Sequence, residues 1–301
     1  MNTKNIVKIK VSLFFVLIVL VSFISHGAVA ADLEDVLKSG TLRHLGIPYA
    51  NFVTTDLQGL DVELQQQFAK YLGVEYEFVK STWSEIIPSL TGKTIEVVGD
   101  HTVVTGTTPI KGDVISTGFT VLPWRKTIVD FSDEAFPSGI WLIAGEGSTM
   151  TPISPSGNID TDIALVKKSL AGVSVLGLNG SCLAPSLYGI AETGAKVKFF
   201  PENRDLEEMI PSVMAKMADS TLMDVPVALI ALDKWSRQIK VIGPISAPQS
   251  MACAFSKESP KLKQAFDKFF KEFKQSGKYR ELVYKYYPTV FIYYPDFLSQ
   301  E

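Results

Sequence analysis

Apolar positions along this 301-residue chain switch between two spacings. Residues 41–47 form a short apolar run that reads as a strand, and residues 56–59 read as a turn. Leu64, Phe68, Tyr71 and Leu72 then fall at helical spacing, and Gly73 is a natural stop for that helix. Residues 74–79 alternate as a strand does, and residues 83–90 read as a short helix. The β-branched, Gly-containing stretch 94–109 reads as a hairpin or a loop excursion.

A second unit repeats the alternation. Residues 139–145 read as a strand, 146–158 as an exposed Gly/Ser/Pro loop, and 173–181 as a strand followed by a helix through about Gly189. Residues 196–201 read as a strand. Leu206, Ile210, Val213 and Met217 mark one face of a helix over 205–218. Strand, turn and helix follow over 221–235, and further strands over 240–246 and 250–256. Ser259-Pro260 opens a strong helix with the stripe Leu262, Phe266, Phe269, Phe270 and Phe273, closed by Gly277. Strands alternating with helices imply an α/β fold with mostly parallel sheets.

The amino terminus has a different pattern. Lys4, Lys8 and Lys10 precede an apolar run over 11–24, and small residues stand at Ala28 and Ala30. A basic, an apolar and then an A-x-A segment is the layout of a secretory signal peptide, here residues 1–30 with cleavage after Ala30. The apolar run is short of the ~20 residues that span a bilayer. Removing residues 1–30 takes away three lysines and no acid, so the exported chain is more acidic than the full chain, whose net charge is −3.

Composition narrows the field. With 29 Lys plus Arg against 32 Asp plus Glu, no basic excess exists to hold nucleic acid. Two cysteines make neither a disulfide framework nor a four-cysteine zinc site. Cys182 and Cys253 are expected to be separate buried thiols. Gly92-Lys93-Thr94 has a phosphate-loop ending but lacks the glycine required five residues earlier, where Ile87 stands. His44 and His101 have no metal-ligand spacing, so neither a metal nor a cofactor is expected.

Seven phrases in order carry a resemblance: residues 39–52, 59–74, 83–90, 112–132, 170–181, 222–228 and 259–288. The chain resembles bacterial extracellular solute-binding proteins of family 3, the amino-acid receptors of ABC importers. The resemblance implies a type II periplasmic-binding-protein fold of two α/β lobes joined by two hinge strands. Lobe 1 would be 31–138 plus 247–301, and lobe 2 would be 139–246. Ligand would bind between the lobes.

An amino acid enclosed in such a cleft loses its water, so each of its charges needs a fixed partner. The resemblance implies Arg125 for the carboxylate, with Gly118 and Thr120 beside it. It implies Ser181 and Cys182 at a Gly-Ser turn whose amides face the cleft, with Ser181 as an N-cap. Asp224 would take the ammonium, and Tyr49 and Phe52 would wall the side chain. Plainer readings of the same residues are a surface arginine after a proline turn, a structural cap, a helix N-cap at Asp224 and core aromatics at Tyr49 and Phe52. Trp83 and Trp124 are expected to be packing residues. Cys182 departs from the family's usual hydroxyl residue. Gly46 stands where receptors for basic ligands carry an aspartate, which argues weakly against a basic ligand. The segment 91–111, the loop 146–158 and the tail 290–301 are longer than the family's usual ones.

The function expected is a periplasmic, non-enzymatic receptor that acts as a monomer. It would deliver a small zwitterionic solute to the transmembrane subunits of an ABC permease. The alternatives are an exported enzyme resembling cyclohexadienyl dehydratase, for which Glu202 and Glu134 are the candidate acids, and a ligand-sensing partner of a membrane receptor.

Overall fold

A computed structural model describes residues 30–99, 101–204 and 206–298. The expected signal peptide, apart from Ala30, lies outside the described residues. Among the described residues no helix is long and apolar enough to cross a membrane.

The chain begins with α1 (Leu33–Ser39), capped reciprocally by Asp32 and Asp35 and stopped by Gly40 in the left-handed region. It continues through β1 (Thr41–Gly46), α2 (Leu60–Leu72), β2 (Glu75–Lys80) and α3 (Ile86–Thr91). A hairpin of β3 (Lys93–Val98) and β4 (His101–Thr107) follows, and this is what the insertion at 91–111 builds. Next come β5 (Val114–Ile115), α4 (Pro123–Lys126), β6 (Val129–Phe131), β7 (Phe136–Ser138) and β8 (Ile140–Gly145). The second unit adds α5 (Ile159–Lys168), β9 (Ser174–Gly177), β10 (Lys196–Phe199), α6 (Met209–Met214), β11 (Ser220–Asp224), α7 (Val225–Lys234) and β12 (Ile239–Pro244). The chain finishes with β13 (Gln249–Met251), β14 (Ala254–Ser256), α8 (Pro260–Gln275), α9 (Lys278–Tyr286) and α10 (Val290–Tyr293).

Two five-stranded sheets result. The first has the order β2-β1-β5-β14-β6, the second β10-β9-β11-β8-β12. In each sheet the βα units pair in parallel, as β1 does with β2 and β5, and β9 with β10 and β11. Strand β14 returns from the far end of the sequence and inserts antiparallel between β5 and β6. The chain therefore crosses between the sheets twice, and the antiparallel pair β7–β13 runs between them. Central strands β9 and β11 are buried throughout, because helices cover both faces of a parallel sheet.

Three expected elements form differently. The helix after residue 181 reduces to a single 3₁₀ turn, Pro185–Tyr188, because Pro185 has no N–H to donate. The helix over 205–218 shortens to a 3₁₀ turn, Leu206–Glu208, and then α6. Pro211 is tolerated only in a first turn, so α6 restarts just before it, and the chain turns out at Lys216 with φ +60°. The strand over 250–256 is two strands, because Met251 pairs with Phe136 while Ala254 pairs with Ile115 and Phe131.

Helix α8 fastens the carboxyl-terminal segment to the first sheet. Leu262, Phe266, Phe269 and Phe270 are buried along one stripe. The Phe266 ring lies 5.0 Å from Phe68 of α2 and 5.3 Å from Phe255 of β14, centroid to centroid. Truncation there leaves a cavity bordered by three elements. Phe266→Ala is expected to cost about 3–5 kcal/mol in denaturant unfolding, and a loss under 1 kcal/mol would show that α8 is not part of the same cooperative core.

Candidate functional site

Arg125 is the largest fully buried side chain of the protein's described residues. Its place follows from local sequence: Pro123 starts α4 and turns the chain, so the guanidinium points inward over the strand-like segment before it. Its Nη1 donates to the Thr120 carbonyl at 2.8 Å, and its Cζ lies 3.9 Å from the Phe119 ring centroid. A desolvated cation over a ring gains roughly 2 kcal/mol, which offsets only part of the burial cost. Nε and Nη2 have no hydrogen-bond partner among the described residues. Burial lowers the pKa to about 10, while Cys182 and Tyr188 across the seam between the lobes act to raise it. The group therefore stays charged at neutral pH.

Asp224 faces the same seam from the other sheet. It ends β11 and caps α7, with Oδ1 accepting from the Val227 amide at 3.2 Å. Its Oδ2 accepts from the Tyr49 hydroxyl, which belongs to the first-sheet lobe. Complete burial raises the carboxyl pKa to about 7, opposed by the Val227 amide. Asp224 is thus an N-cap and an interlobe contact at once.

The other expected site residues divide into two groups. Tyr49, Thr120, Ser181 and Cys182 are buried at the seam. Tyr49 meets Trp83 edge to face at 5.5 Å. The Thr120 hydroxyl oxygen is buried with no hydrogen-bond partner among the described residues. Ser181 does not cap a helix: its hydroxyl donates to the Leu178 carbonyl at 2.9 Å and accepts from the Leu183 amide at 3.0 Å, tying the turn to itself. Both cysteines are free and buried. Phe52 packs inward, with Phe136 at 5.3 Å and Tyr287 at 4.8 Å. Gly118 lies above it with φ +59°, and a Cβ there would come within 2.5 Å of the Phe52 ring, so only glycine fits. The Gly118 amide donates to the buried Asp61 carboxylate at 2.6 Å.

The sequence does not single out Phe119, Tyr188 or Gln249. Tyr188 donates to the Cys182 carbonyl at 2.6 Å and accepts from Gln249 at 3.2 Å, adding an interlobe link beside Arg125. No spacing signal marks Tyr188 or Gln249, because 61 residues separate them. Phe119 does carry a signal, since it sits in the same phrase as Thr120 and Arg125.

Two crevices open along the seam. One, about 370 Å³, lies between the β3–β4 hairpin, Trp124 and the turn 179–187. The other, about 300 Å³, is bordered by Ile47, Pro48, Lys80 and Trp83 on one side and by Glu202 and Arg204 on the other. Glu202 therefore borders the seam, whereas Glu134 lines a separate surface hollow with Lys126 and Asp130. A larger opening of about 480 Å³ lies at residues 145–149 and 213–219, away from Arg125 and Asp224.

Two α/β lobes meeting over buried, oppositely charged groups define a type II periplasmic-binding-protein fold, and solved structures agree. Residues 46–107 and 101–289 match the bacterial extracellular solute-binding proteins, family 3, and the chain belongs to that family. A mutant of the arginine-binding protein ArgBP of T. maritima is similar over 85% of this chain and 99% of its own, with TM-score 0.67 and 24% identity. An ancestral arginine-binding protein bound to arginine is similar over 82% and 98%, with TM-score 0.65 and 25% identity. An ancestral amino-acid-binding protein, a precursor of cyclohexadienyl dehydratase, covers 85% and 98%, with TM-score 0.63 and 26% identity. Among curated proteins, the membrane-bound lytic murein transglycosylase F of Desulfosudis oleivorans is 25% identical over 233 residues, which are 77% of this chain and 44% of that protein's length.

The buried carboxyls give the fold a pH dependence. Asp61 and Asp224 each titrate near 7 when folded, against 3.8 ordinarily, chiefly through desolvation. The folded state then holds more protons than the unfolded chain between those values. Their contribution is fully present below about pH 4 and is lost as pH rises through 7. His44, buried and lowered from 6.5 to about 4, acts in the opposite direction between those two values. In melting curves across pH 5–8, the Asp61→Asn/Asp224→Asn variant is expected to lose less stability with rising pH than the wild type. Parallel slopes for the two proteins would mean that neither carboxyl is shifted.

Proposed function

We propose that this protein is a periplasmic receptor, exported by a cleaved signal peptide. It captures a small zwitterionic solute, an amino acid or a close relative, and passes it to an ABC permease. The observation that carries this reading is the buried Arg125 guanidinium, whose Nε and Nη2 have no hydrogen-bond partner among the described residues. A carboxylate is the group whose charge and paired oxygens suit such a fork. Asp224, with Tyr49 beside it, supplies the complementary acceptor for an ammonium. Opening and closing of the lobes would admit the solute and then exclude water from both contacts. The amino-acid-binding neighbours and the family membership support the same reading. A receptor of this kind performs no chemistry, so no residue is assigned a catalytic role.

A thermal-shift screen of amino acids, short peptides and organic acids identifies the solute, since a specific ligand at 100 times its Kd adds about 2.7 kcal/mol. Arg125→Ala is then expected to weaken binding ~100-fold or more, because a carboxylate left buried and unpaired costs roughly 3–5 kcal/mol. Arg125→Met, which keeps the volume without the charge, is expected to bind as poorly yet melt no earlier than wild type. Calorimetry showing unchanged affinity in either variant overturns the carboxylate assignment.

One observation favours a second reading. The Asp224 carboxyl is held near pH 7 at the seam, the range in which a general acid operates, and one structural neighbour is a precursor of cyclohexadienyl dehydratase. The chain spans less than half of its transglycosylase-named relative, so cell-wall cleavage is not transferred to it. Incubation with prephenate or arogenate is expected to yield no aromatic product. Product formation that disappears in Asp224→Asn would establish the enzyme instead.

A further inference from the structure

Asp61 opens α2, yet its side chain serves a different part of the chain. It is only 6% exposed, and its Oδ2 accepts from the Gly118 amide at 2.6 Å. Its own amide donates to the Phe52 carbonyl at 3.0 Å, and the neighbouring Leu60 amide donates to the Asn51 carbonyl at 2.8 Å. The first turn of α2 therefore holds two stretches at once. One is the loop 49–53, which bears Tyr49, and the other is the stretch 116–120, which leads to Arg125.

The stretch 116–120 is fastened step by step to the lobe beneath it. His44 is neutral, because burial lowers its pKa to about 4. Its Nε2 then donates to the Ser116 carbonyl at 2.5 Å, while Nδ1 accepts from the Tyr76 hydroxyl at 2.8 Å. The Thr117 hydroxyl donates to the Ile47 carbonyl at 2.7 Å and accepts from the Ile47 amide at 3.2 Å. Gly118 comes next, at φ +59°, with Asp61 as the acceptor for its amide. A bond from an amide to a carboxylate is shorter and stronger than one between neutral groups. The two residues after Gly118 are those that hold Arg125. Phe119 presents its ring at 3.9 Å from Cζ, and Thr120 presents its carbonyl at 2.8 Å from Nη1. A tilt of the chain at Gly118 is passed straight to the guanidinium.

We infer that Asp61 is a positioning residue of the binding site: by accepting from the Gly118 amide it sets the direction in which Phe119 and Thr120 present Arg125, without touching the solute itself. The inference rests on the receptor reading above. Dehydration makes this carboxyl costly to the fold and pushes its pKa up to about 7, against the pull of the Gly118 amide. What the carboxyl supplies in exchange is orientation, since it fixes a turn that only glycine can occupy.

Calorimetry with each of the standard L-amino acids tests it on the wild type, Asp61→Ala, Asp61→Ser, Asp61→Asn and Phe266→Ala. Asp61→Ala removes the acceptor, and Asp61→Ser stays polar but is too short to reach the amide. Each is expected to weaken the tightest-binding amino acid about ten-fold, the effect of one hydrogen bond to a charged group. Asp61→Asn keeps an acceptor oxygen in place and is expected to bind within about three-fold of the wild type. Phe266→Ala destabilises the same lobe away from the site and is expected to leave affinity unchanged. Wild-type affinity in Asp61→Ala or Asp61→Ser overturns the inference. So does an Asp61→Asn variant as weak as those two, or an equal loss in Phe266→Ala, since either would mean that stability alone is being read. The two levels separate in the wild type: no binding heat from any amino acid there removes the receptor reading and the inference with it, whereas wild-type binding that persists in every Asp61 variant removes only the inference.

Discussion

Taking a guanidinium out of water costs several kcal/mol, and the rest of the seam is arranged around that cost at Arg125. One carbonyl and one aromatic face compensate part of it. The nitrogens Nε and Nη2 have no partner among the described residues. A side chain in that condition is poor for stability and well suited to binding an anion, since the desolvation is met in folding and need not be met again on association. Asp224 presents the opposite case, an acid so dehydrated that it protonates near neutrality unless a cation stands beside it.

Topology brings these groups together. The segments that bear Tyr49, Arg125, Cys182 and Asp224 follow or end strands in two separate sheets, and β14 returns late into the first sheet between β5 and β6. The crossing pair β7–β13 gives the two sheets a narrow strand connection. Buried apolar residues of the two lobes form one continuous cluster, so the apolar packing carries across the seam where the charged groups lie. The β3–β4 hairpin uses the same seam, reaching from the first lobe to form one wall of a crevice against the turn at 179–187.

Much of this architecture is legible in the amino-acid sequence. The signals at Gly73 and Pro260, and the phenylalanine stripe of α8, mark elements that form where expected, because capping and amphipathic spacing act over a few residues. Elements fail where proline competes with pattern, as at Pro185 and Pro211, or where one run of chain serves two sheets, as over 249–256. Within the expected site, Tyr49 touches Asp224 across the seam and Arg125 is buried beside Phe119 and Thr120, whereas Phe52 lies as the floor under Gly118. Spacing cannot reveal Tyr188 or Gln249 as seam residues, because their relevance lies in a contact between segments 61 residues apart.

What the sequence determined by itself was the alternation of strands and helices and the family phrases that contain Arg125 and Asp224. These are local properties, written in spacing and composition. Only the tertiary structure decided that Asp224 caps a helix and touches Tyr49 at the same time, that Ser181 closes its own turn, and that Arg125 retains unpaired donors. Hydrogen-bond satisfaction and dehydration depend on every neighbour at once, and those neighbours come from segments far apart in the chain.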